Sequence, residues 1–244
     1  MQLINWSATE QFIHDEIIQF HEKRLKRLEK TNLKGILRKN PYLFRAKNLL
    51  TASELITSML DARLSSSEEK MFGDFLERTA LFITAQTVDG RKSSARGIDL
   101  EFTEEQTRYL VSIKSGPNWG NSSQYQSLRT NFKNAVRIIR QAETGVHLQP
   151  ILGICYGKAQ RTDTGDYIKL IGQSFWHFIS DDPELYLRII EPIAFQSREY
   201  DERMIETRAA IENKLVREFA NEYCFEDGRI DWNKLVSFNS ENLK

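Results

Sequence analysis

Two neighbouring segments of this chain carry the polar residues best suited to chemistry. Residues 97–102 and 109–116 each alternate apolar and polar side chains with period two, which predicts two adjacent β-strands. The apolar residues of both strands are expected on one face: Ile98, Leu100, Phe102, Val111 and Ile113. The opposite face carries Asp99, Glu101, Ser112 and Lys114. Charges on a half-buried sheet face cost free energy unless they are paired or ligated, so the pattern indicates a metal-dependent active site.

Asp99 and Lys114 are the residue types that metal-dependent phosphodiester hydrolysis requires. A carboxylate holds a hard divalent cation, and a nearby ammonium group orients the attacking water or stabilises charge on the phosphoryl group. On neighbouring strands the two side chains are expected to lie close together. The alternative is an ion pair across two strands at a sheet edge, which spacing alone does not distinguish from a catalytic pair.

The order of these residues resembles the PD-(D/E)XK nuclease fold. An aspartate begins one strand, Lys114 stands in the next, a helix carrying Glu77 precedes them, and a loop and a helix follow. Residues 112–121 are also similar to the Lys-Ser-Gly-Pro-Asn signature of type II restriction endonucleases of the PmeII-like group. The resemblance covers about residues 66–157. The general motif is short and variably spaced, whereas the loop signature is more specific.

The resemblance implies a Mg²⁺-dependent DNA endonuclease in which Mn²⁺ can substitute. Asp99 matches the first acid of the motif, a metal ligand, and Lys114 matches its lysine. The backbone carbonyl of Ile113 is implied as a further metal ligand. Ile98 stands where the motif name has proline, which is a common substitution. Ser112 stands where the second carboxylate belongs.

The serine at position 112 leaves three outcomes open. Serine supplies no negative charge for Mg²⁺, and the chain has no acid between residues 116 and 142 that the following helix could contribute. Glu77 matches a position from which members of the fold contribute a glutamate, and it is the first candidate for the missing ligand. Glu101, on the polar face of the strand pair, is the second. The third outcome is an inactive site.

The loop after the second strand and the helix that follows it carry the residues expected to contact DNA. Amide and hydroxyl side chains can read base edges, and a basic helix can follow phosphates. Helix capping is the favoured role for Ser122 and Ser123, and a solvated surface is the alternative for the basic residues. The expected DNA contacts are Asn118, Trp119, Asn121, Ser122, Ser123, Gln124, Arg129 and Lys133, and Arg137 and Arg140 continue the basic row.

The charge distribution is consistent with an anionic partner. Net charge is zero, but residues 23–47 hold ten Lys or Arg against one acid, whereas residues 181–244 hold fifteen acids against nine bases. Such asymmetry indicates that one face meets negative charge. A solvated basic helix gives the same pattern.

Other patterns argue against competing classes. The two cysteines have neither a disulfide framework nor metal-ligand spacing, and no signal peptide or membrane span is recognisable, so we expect a cytoplasmic protein without membrane association. The four histidines lack ligand spacing, which disfavours an HNH-type nuclease, and no glycine-rich phosphate loop occurs. Asp163–Asp166 is predicted to be a hairpin turn rather than a protease triplet.

The remaining elements predict a mixed α/β sheet flanked by helices, with additional N- and C-terminal helices. Helices are expected at 8–30, 51–63, 65–85, 123–143, 184–190 and 200–223, and further strands at 148–156 and 167–171. Residues Thr51–Glu54 resemble a capping box at the start of the second helix, and the fourth helix carries an apolar stripe of Leu128, Phe132, Val136 and Ile139. The expected domains are an N-terminal helical part at 1–64 that contacts DNA or a dimer partner, a nuclease core at 65–180, and a C-terminal helical part at 181–244 packed on the core.

The resemblance thus implies a type II restriction enzyme that cleaves double-stranded DNA sequence-specifically. A homodimer is expected because two sites related by a two-fold axis can cut both strands of a palindrome. A cognate DNA methyltransferase is expected in the same system. The alternatives are a repair or recombination nuclease of the same fold, and a catalytically inactive DNA-binding protein on the same scaffold.

Overall fold

A computed structural model describes residues 1–143, 145–194 and 197–242 of the chain, which divides into two units. Unit 1 consists of Met1–Ile17 and Phe72–Phe195, and unit 2 of Ile18–Met71 and Gln196–Lys244. These boundaries differ from the three consecutive domains expected from the sequence, because two long helices each contribute to both units. Residue 144 of the expected core and residues 195, 196, 243 and 244 of the expected C-terminal part lie outside the described residues.

The helices and strands of the described residues are, in chain order, α1 (Trp6–Glu29), α2 (Leu33–Ile36), α3 (Pro41–Ala46), α4 (Ala52–Thr87), β1 (Arg91–Lys92), β2 (Leu100–Glu104), β3 (Thr107–Lys114), α5 (Ser122–Ala142), β4 (His147–Ile154), β5 (Thr162–Asp163), β6 (Ile168–Ile171), α6 (Gln173–Phe178), α7 (Leu185–Arg188), α8 (Ile190–Ile193), α9 (Ser197–Tyr223) and α10 (Trp232–Ser240). Within these residues, no helix combines the length and the apolar composition needed to cross a bilayer.

Unit 1 is built on a six-stranded sheet with the order β1-β2-β3-β4-β6-β5. The predicted strand pair is present, because β2 and β3 are antiparallel with Leu100 opposite Val111. β3, β4 and β6 are parallel, whereas β1 and β5 lie antiparallel to their neighbours. α5 provides the crossover connection that the parallel pair β3–β4 requires. The predicted mixed sheet flanked by helices is therefore confirmed.

Apolar side chains cover both faces of this sheet. On one face, buried residues of the strands pack with α1, α4, α6 and α7; they include Leu100, Val111, Ile113, Ile17, Phe75, Ile83 and Trp176. On the other face the strands pack with α5 through a second cluster that includes Leu110, Leu152, Ile154, Leu128 and Phe132. The apolar stripe predicted for α5 is thus its contact with the sheet.

Ile98 lies on the opposite face from the one predicted. It packs with Leu110 in the cluster between the sheet and α5 (the α5 cluster), whereas Leu100 belongs to the cluster on the other face, with α1, α4, α6 and α7. The reason is a turn in which the Ile98 N–H donates to the Ala95 carbonyl at 3.1 Å and Gly97 has a φ of +76°. Regular alternation therefore begins only at Leu100, and the prediction for Ile98 was wrong.

Unit 2 is helical, and its core lies between α2, α3, α9, α10 and the unit-2 parts of α1 and α4. Its buried residues include Leu28, Ile36, Phe44, Ile56, Leu60, Leu215, Phe219 and Leu235. The capping box predicted at the start of α4 is present, because Glu54 N donates to Thr51 Oγ1 at 3.2 Å and Thr51 N to Glu54 Oε2 at 3.0 Å.

α4 is one helix where the sequence predicted two helices separated near residue 65. The serine-rich segment does not interrupt it, since the Ser66 hydroxyl donates to the Ala62 carbonyl at 2.8 Å, one turn earlier. A serine hydroxyl that donates to a carbonyl of its own helix does not cap a new helix, so the helix continues through this segment. The two-residue strands β1 and β5 and the short helices α2, α3, α6, α8 and α10 were not predicted. The hairpin turn at 163–166 is confirmed by the pairing of β5 with β6.

The carboxyl ends of the parallel strands meet at one edge of the sheet. There, Cys155 N donates to the Lys114 carbonyl at 2.9 Å, and Gly172 N donates to the Ile154 carbonyl at 2.8 Å. Gly172 has a φ of +56°, and a Cβ at this position would lie 2.5 Å from the Gly157 carbonyl oxygen. The connections after β4 and β6 are therefore packed backbone against backbone.

Gly172→Ala tests this packing. The added Cβ would have to displace backbone at Gly157 as well as adopt a left-handed conformation, so we expect a loss of about 3 kcal/mol in the free energy of unfolding in urea. Gly165→Ala is the matched control, because Gly165 has a φ of +80° but a Cβ added there would have no atom within 4 Å. The control should lose only about 1 kcal/mol. Equal losses in the two variants would contradict the packing account.

Candidate active site

Asp99 is fixed to the end of β3 by its side chain and its backbone. Its N–H donates to the Val111 carbonyl at 2.9 Å. Its Oδ2 accepts a hydrogen bond from Ile113 N at 2.6 Å and one from the Ser112 hydroxyl at 3.3 Å. The side chain is 22% exposed. One oxygen of the Asp99 carboxylate is therefore held by hydrogen bonds, while part of the side chain remains accessible to solvent.

Lys114 is the last residue of β3, and its ammonium group lies beside the Asp99 carboxylate. The Nζ atom is 3.6 Å from Asp99 Oδ2 and donates to the Ile113 carbonyl at 2.7 Å and to Ser112 Oγ at 3.2 Å. It also lies 5.6 Å from the centroid of the Trp119 ring. The sequence-predicted pair Asp99–Lys114 is therefore brought together.

Ser112 connects the two charged groups. Its hydroxyl accepts from the Lys114 ammonium and donates to the Asp99 carboxylate, and the residue is 1% exposed. This serine occupies the position where the motif expects a carboxylate. It orders the charged neighbours but contributes no charge of its own.

Glu77 of α4 lies in the same electrostatic environment. Burial raises the pKa of its carboxyl group, and the charge of Asp99 raises it further, while Lys92 and Lys114 lower it. Its Oε1 is 3.8 Å from Lys92 Nζ, and its side chain is 28% exposed. The Glu77 carboxyl group therefore lies within the electrostatic influence of one carboxylate and two lysines.

Glu101 has a different environment although it was predicted on the same face. Its carboxylate accepts from Arg91 Nε at 3.0 Å and from the Arg108 guanidinium at 3.1 Å, and Arg108 also pairs with Glu143 at 2.8 Å. The Glu101 side chain is 9% exposed. Its oxygens are therefore engaged in a buried ion-pair network, whereas those of Glu77 are partly exposed.

A comparison with protein families places the chain. The family model described as "Type II restriction endonuclease EcoO109I" matches residues 7–201. The chain belongs to this restriction endonuclease family. Its match includes α4, the strand pair and α5, and the membership implies DNA as the substrate class. No match to a curated protein was found.

In this restriction endonuclease, Asn121 caps α5. Asn121 Oδ1 accepts from Gln124 N at 3.1 Å, and Gln124 Oε1 accepts from Asn121 N at 2.9 Å, which forms a capping box. Ser123 donates its hydroxyl hydrogen to Asn121 Oδ1 at 2.8 Å. The favoured capping role of Ser122 and Ser123 was therefore wrong, because α5 begins at Ser122 and the cap falls one residue earlier. Asn118 and Ser122 are exposed.

Trp119, another predicted DNA contact, packs against the site. Its ring lies 4.7 Å from that of Tyr125 in α5, and its partly buried side chain contacts the α5 cluster. Its buried indole N–H has no hydrogen-bond partner among the described residues. The ring is therefore packed between α5 and the Lys114 ammonium group.

The basic row on α5 is partly neutralised. Arg129 Nε lies 3.7 Å from Asp166 Oδ2, and Lys133 Nζ lies 3.1 Å from Asp166 Oδ1. Arg137 and Arg140 are exposed further along the helix. The two basic residues predicted to bind DNA, Arg129 and Lys133, thus share one acidic partner from the hairpin before β6.

Within the described parts of the chain, no three His, Cys, Asp or Glu side chains are grouped closely enough to hold a metal ion. The acidic donors at the site are Asp99 and Glu77, and the remaining donors are neutral oxygens. Mg²⁺ keeps several of its waters and binds through one or two carboxylates, so this donor set fits such an ion.

Three residues near the site were missed by sequence reasoning: Lys92, Cys155 and Tyr156. Lys92 pairs with Glu77, burial raises the pKa of the Cys155 thiol to about 12, and Tyr156 is 60% exposed at the end of β4. Their positions depend on which strands are neighbours in the sheet. The only local signal was the end of the apolar stretch at residue 156.

The raised pKa of Glu77 predicts a pH-dependent stability. Folding of the metal-free protein is favoured by protonated Glu77, so this contribution is present below the ordinary value of 4.5 and is lost as pH rises through the raised pKa. Glu77→Gln removes the titrating group. The free energy of unfolding of the wild type minus that of Glu77→Gln should fall as pH is raised from the ordinary value of 4.5 through the raised pKa, in urea titrations with EDTA. A difference that is constant over this range would contradict the prediction.

Proposed function

We propose that this restriction endonuclease is a Mg²⁺-dependent, sequence-specific nuclease of double-stranded DNA with an active site of the PD-(D/E)XK type. The observation that carries the proposal is the contact of Asp99 with Lys114 at the end of β3, where the charges of both residues also act on the carboxyl group of Glu77 in α4. A partly exposed carboxylate pair beside a fixed ammonium group is the arrangement that phosphodiester hydrolysis requires.

Asp99 and Glu77 are the residues that would hold Mg²⁺, with Mn²⁺ as a substitute. Burial and, after it, the charge of Asp99 raise the pKa of Glu77, and a divalent cation would favour the ionised form of both carboxyl groups. When bound, the ion supplies Lewis acidity toward the phosphate and acidifies a coordinated water. The Ile113 carbonyl oxygen already accepts from Lys114 and has a second lone pair for a further ligand.

Lys114 acts on the phosphate or on the attacking water. Two of its three N–H donors are used by the Ile113 carbonyl and the Ser112 hydroxyl. The third faces Asp99 Oδ2 at a longer distance of 3.6 Å, so it is the donor that a phosphate oxygen or a water can recruit. Ser112 acts as a positioning residue that keeps both charged groups in place.

Glu77 is preferred over Glu101 as the second acid because of its surroundings. A metal ion that recruited Glu101 would break the ion pairs of this carboxylate with Arg91 and Arg108 and leave Arg108 with Glu143 as its remaining partner, which is costly at a largely buried site. Among the residues that the structure describes, Glu77 pairs only with the exposed Lys92, at 3.8 Å. Exposed ion pairs of this kind contribute little to stability, so Glu77 is easily recruited.

The same proposal includes the partners and the setting expected for a type II system. We propose a homodimer, in which two equivalent sites cut the two strands of a palindromic sequence, and a cognate DNA methyltransferase in the same cytoplasm. The basic residues at 23–47 would then meet DNA backbone or the second copy.

Incubation with linear plasmid DNA of known sequence and Mg²⁺ separates this function from the two alternatives. Discrete fragments support a restriction enzyme. A smear or cuts at unusual structures would support a repair or recombination nuclease, and a mobility shift without cleavage would support an inactive DNA-binding protein. The family match favours the first outcome.

Glu77→Gln and Glu101→Gln distinguish the two candidate carboxylates. Glu77→Gln should slow single-turnover DNA cleavage by roughly 100-fold to 1,000-fold, because a transition-state charge stabiliser is weakened. Glu101→Gln should retain cleavage within about threefold while losing about 1–3 kcal/mol of unfolding free energy in urea, because Arg108 is left poorly paired. The reverse pattern would assign the role to Glu101, and full activity of both variants would exclude both.

Asp166→Asn tests the DNA-binding role of α5. Removing this carboxylate releases Arg129 and Lys133 from their shared partner, so the Kd for duplex DNA without metal should decrease about fivefold. Fluorescence anisotropy with a labelled duplex measures the change. Asp227→Asn in unit 2 is the control, since it removes the same charge from an exposed pair with Arg229. Equal Kd values for the two variants would contradict the role.

A further inference from the structure

Tyr156 is an exposed aromatic residue at the same sheet edge as the candidate active site. The parallel register of β3 and β4 places Ile154 beside Lys114, and Tyr156 N donates to the Ser115 carbonyl at 3.1 Å. The residue is 60% exposed. It therefore lies one strand away from the chain segment that follows the site lysine.

The Tyr156 ring lies across Gly116. A Cβ on Gly116 would come within 2.4 Å of both the hydroxyl oxygen and Cζ of Tyr156, and the three nearest atoms all belong to that side chain. Gly116 is buried and has no left-handed φ. The tyrosine side chain is therefore what a larger residue at position 116 would displace.

The backbone after Tyr156 is held tightly. Gly157 has a φ of +122°, and a Cβ there would lie 3.2 Å from Pro117 Cγ, in the loop after β3. The carbonyl oxygen of Gly157 lies 2.5 Å from the position that a Cβ of Gly172 would occupy. Tyr156 is thus preorganised by backbone packing, although its ring remains open to solvent.

Single exposed aromatic residues are common on protein surfaces, so exposure alone carries little weight. Here the exposed ring is preorganised, lies across Gly116, two residues after Lys114, and is followed two residues later by the exposed Lys158. Neighbouring strands lie about 4.8 Å apart, and each strand of a DNA duplex carries one phosphate for every ~3.4 Å of helix axis. One strand spacing is therefore of the same order as one nucleotide step, which is the offset between the scissile phosphate and its neighbour.

We propose that the Tyr156 hydroxyl donates a hydrogen bond to the DNA phosphate adjacent to the scissile one, and that Lys158 neutralises the same stretch of backbone. Tyrosine hydroxyls and lysines are common partners of DNA phosphates, where they fix the register of the duplex without reading bases. The inference rests on the proposed function, because it takes Asp99 and Lys114 to be the point of cleavage.

The test compares DNA binding and cleavage by full-length variants. The cleavage probe is linear plasmid DNA with Mg²⁺. The binding probe, used in EDTA, is a short duplex spanning the cut mapped with the wild type, or a mixture of plasmid fragments if no cut is found. Tyr156→Phe removes only the hydroxyl, and we expect it to raise the Kd about tenfold, as for the loss of a hydrogen bond to a charged group. Tyr156→Ala should weaken binding at least as much.

Two further variants test the arrangement around the tyrosine. Gly116→Ala should raise the Kd about as much as Tyr156→Phe does, because the added methyl group displaces the tyrosine ring. The double variant Gly116→Ala with Tyr156→Ala should have a Kd little higher than that of Tyr156→Ala alone, because the displaced side chain is already absent. Lys158→Gln should weaken binding and lower the slope of log Kd against log salt by about one. Phe225→Ala and Lys214→Gln in unit 2 are the controls; they change an exposed aromatic residue and an exposed lysine, and should leave Kd unchanged.

The outcomes separate this inference from the proposed function. Wild-type Kd values for both Tyr156 variants would overturn the inference, even if the wild type cuts DNA. A wild type that binds DNA but does not cut would refute the nuclease function, whereas a tenfold weaker Kd for Tyr156→Phe would still support the contact. A wild type that neither binds nor cuts DNA would overturn both.

Discussion

The hydrogen bond from Ile113 N to the Asp99 carboxylate, 2.6 Å long, is the constraint on which the site depends. The main chain before Asp99 turns away at Gly97, so a side chain supplies the acceptor at the end of the β2–β3 ladder. Hydrogen bonds to a carboxylate are stronger than those between neutral groups. The bond fixes Asp99 at the end of β3, where Lys114 emerges, and thereby sets the distance between the acid and the ammonium group.

The environments of the carboxylates decide their roles. Glu101 and Asp99 follow one another closely in sequence, yet Glu101 is enclosed by two arginines while Asp99 faces Lys114 and Glu77. A buried, fully paired carboxylate stabilises the folded chain only as long as its partners stay in place. A partly exposed carboxylate beside a second one is instead an electrostatic cost to the protein alone. Such a cost is what a bound cation would offset, which is why the proposed metal site uses Asp99 and Glu77 rather than Glu101.

The features that could be predicted from the sequence are those encoded by local periodicity. Period-two alternation located β2 and β3, the helical stripe located α5, and the Thr51–Glu54 spacing located a cap. Ile98 was misplaced because a turn interrupts the alternation, and α4 was divided because serine hydroxyls can bond within a helix as well as start one. The proximity of Tyr156 and Lys92 to the site follows from strand order in the sheet, which no local pattern encodes.

Trp119 links the loop after β3 to the chemistry of the site. Its ring packs on Tyr125 of α5 and lies over the Lys114 ammonium, so one side chain contacts both the helix with the basic row and the lysine. A cation beside an aromatic face is stabilised by the ring, and the stabilisation depends on where the ring lies. DNA that moves this loop would therefore alter the surroundings of Lys114. The proposed contact of this loop with DNA and the position of the Lys114 ammonium group would then be coupled through Trp119, a partly buried aromatic side chain in a loop otherwise rich in turn-forming residues.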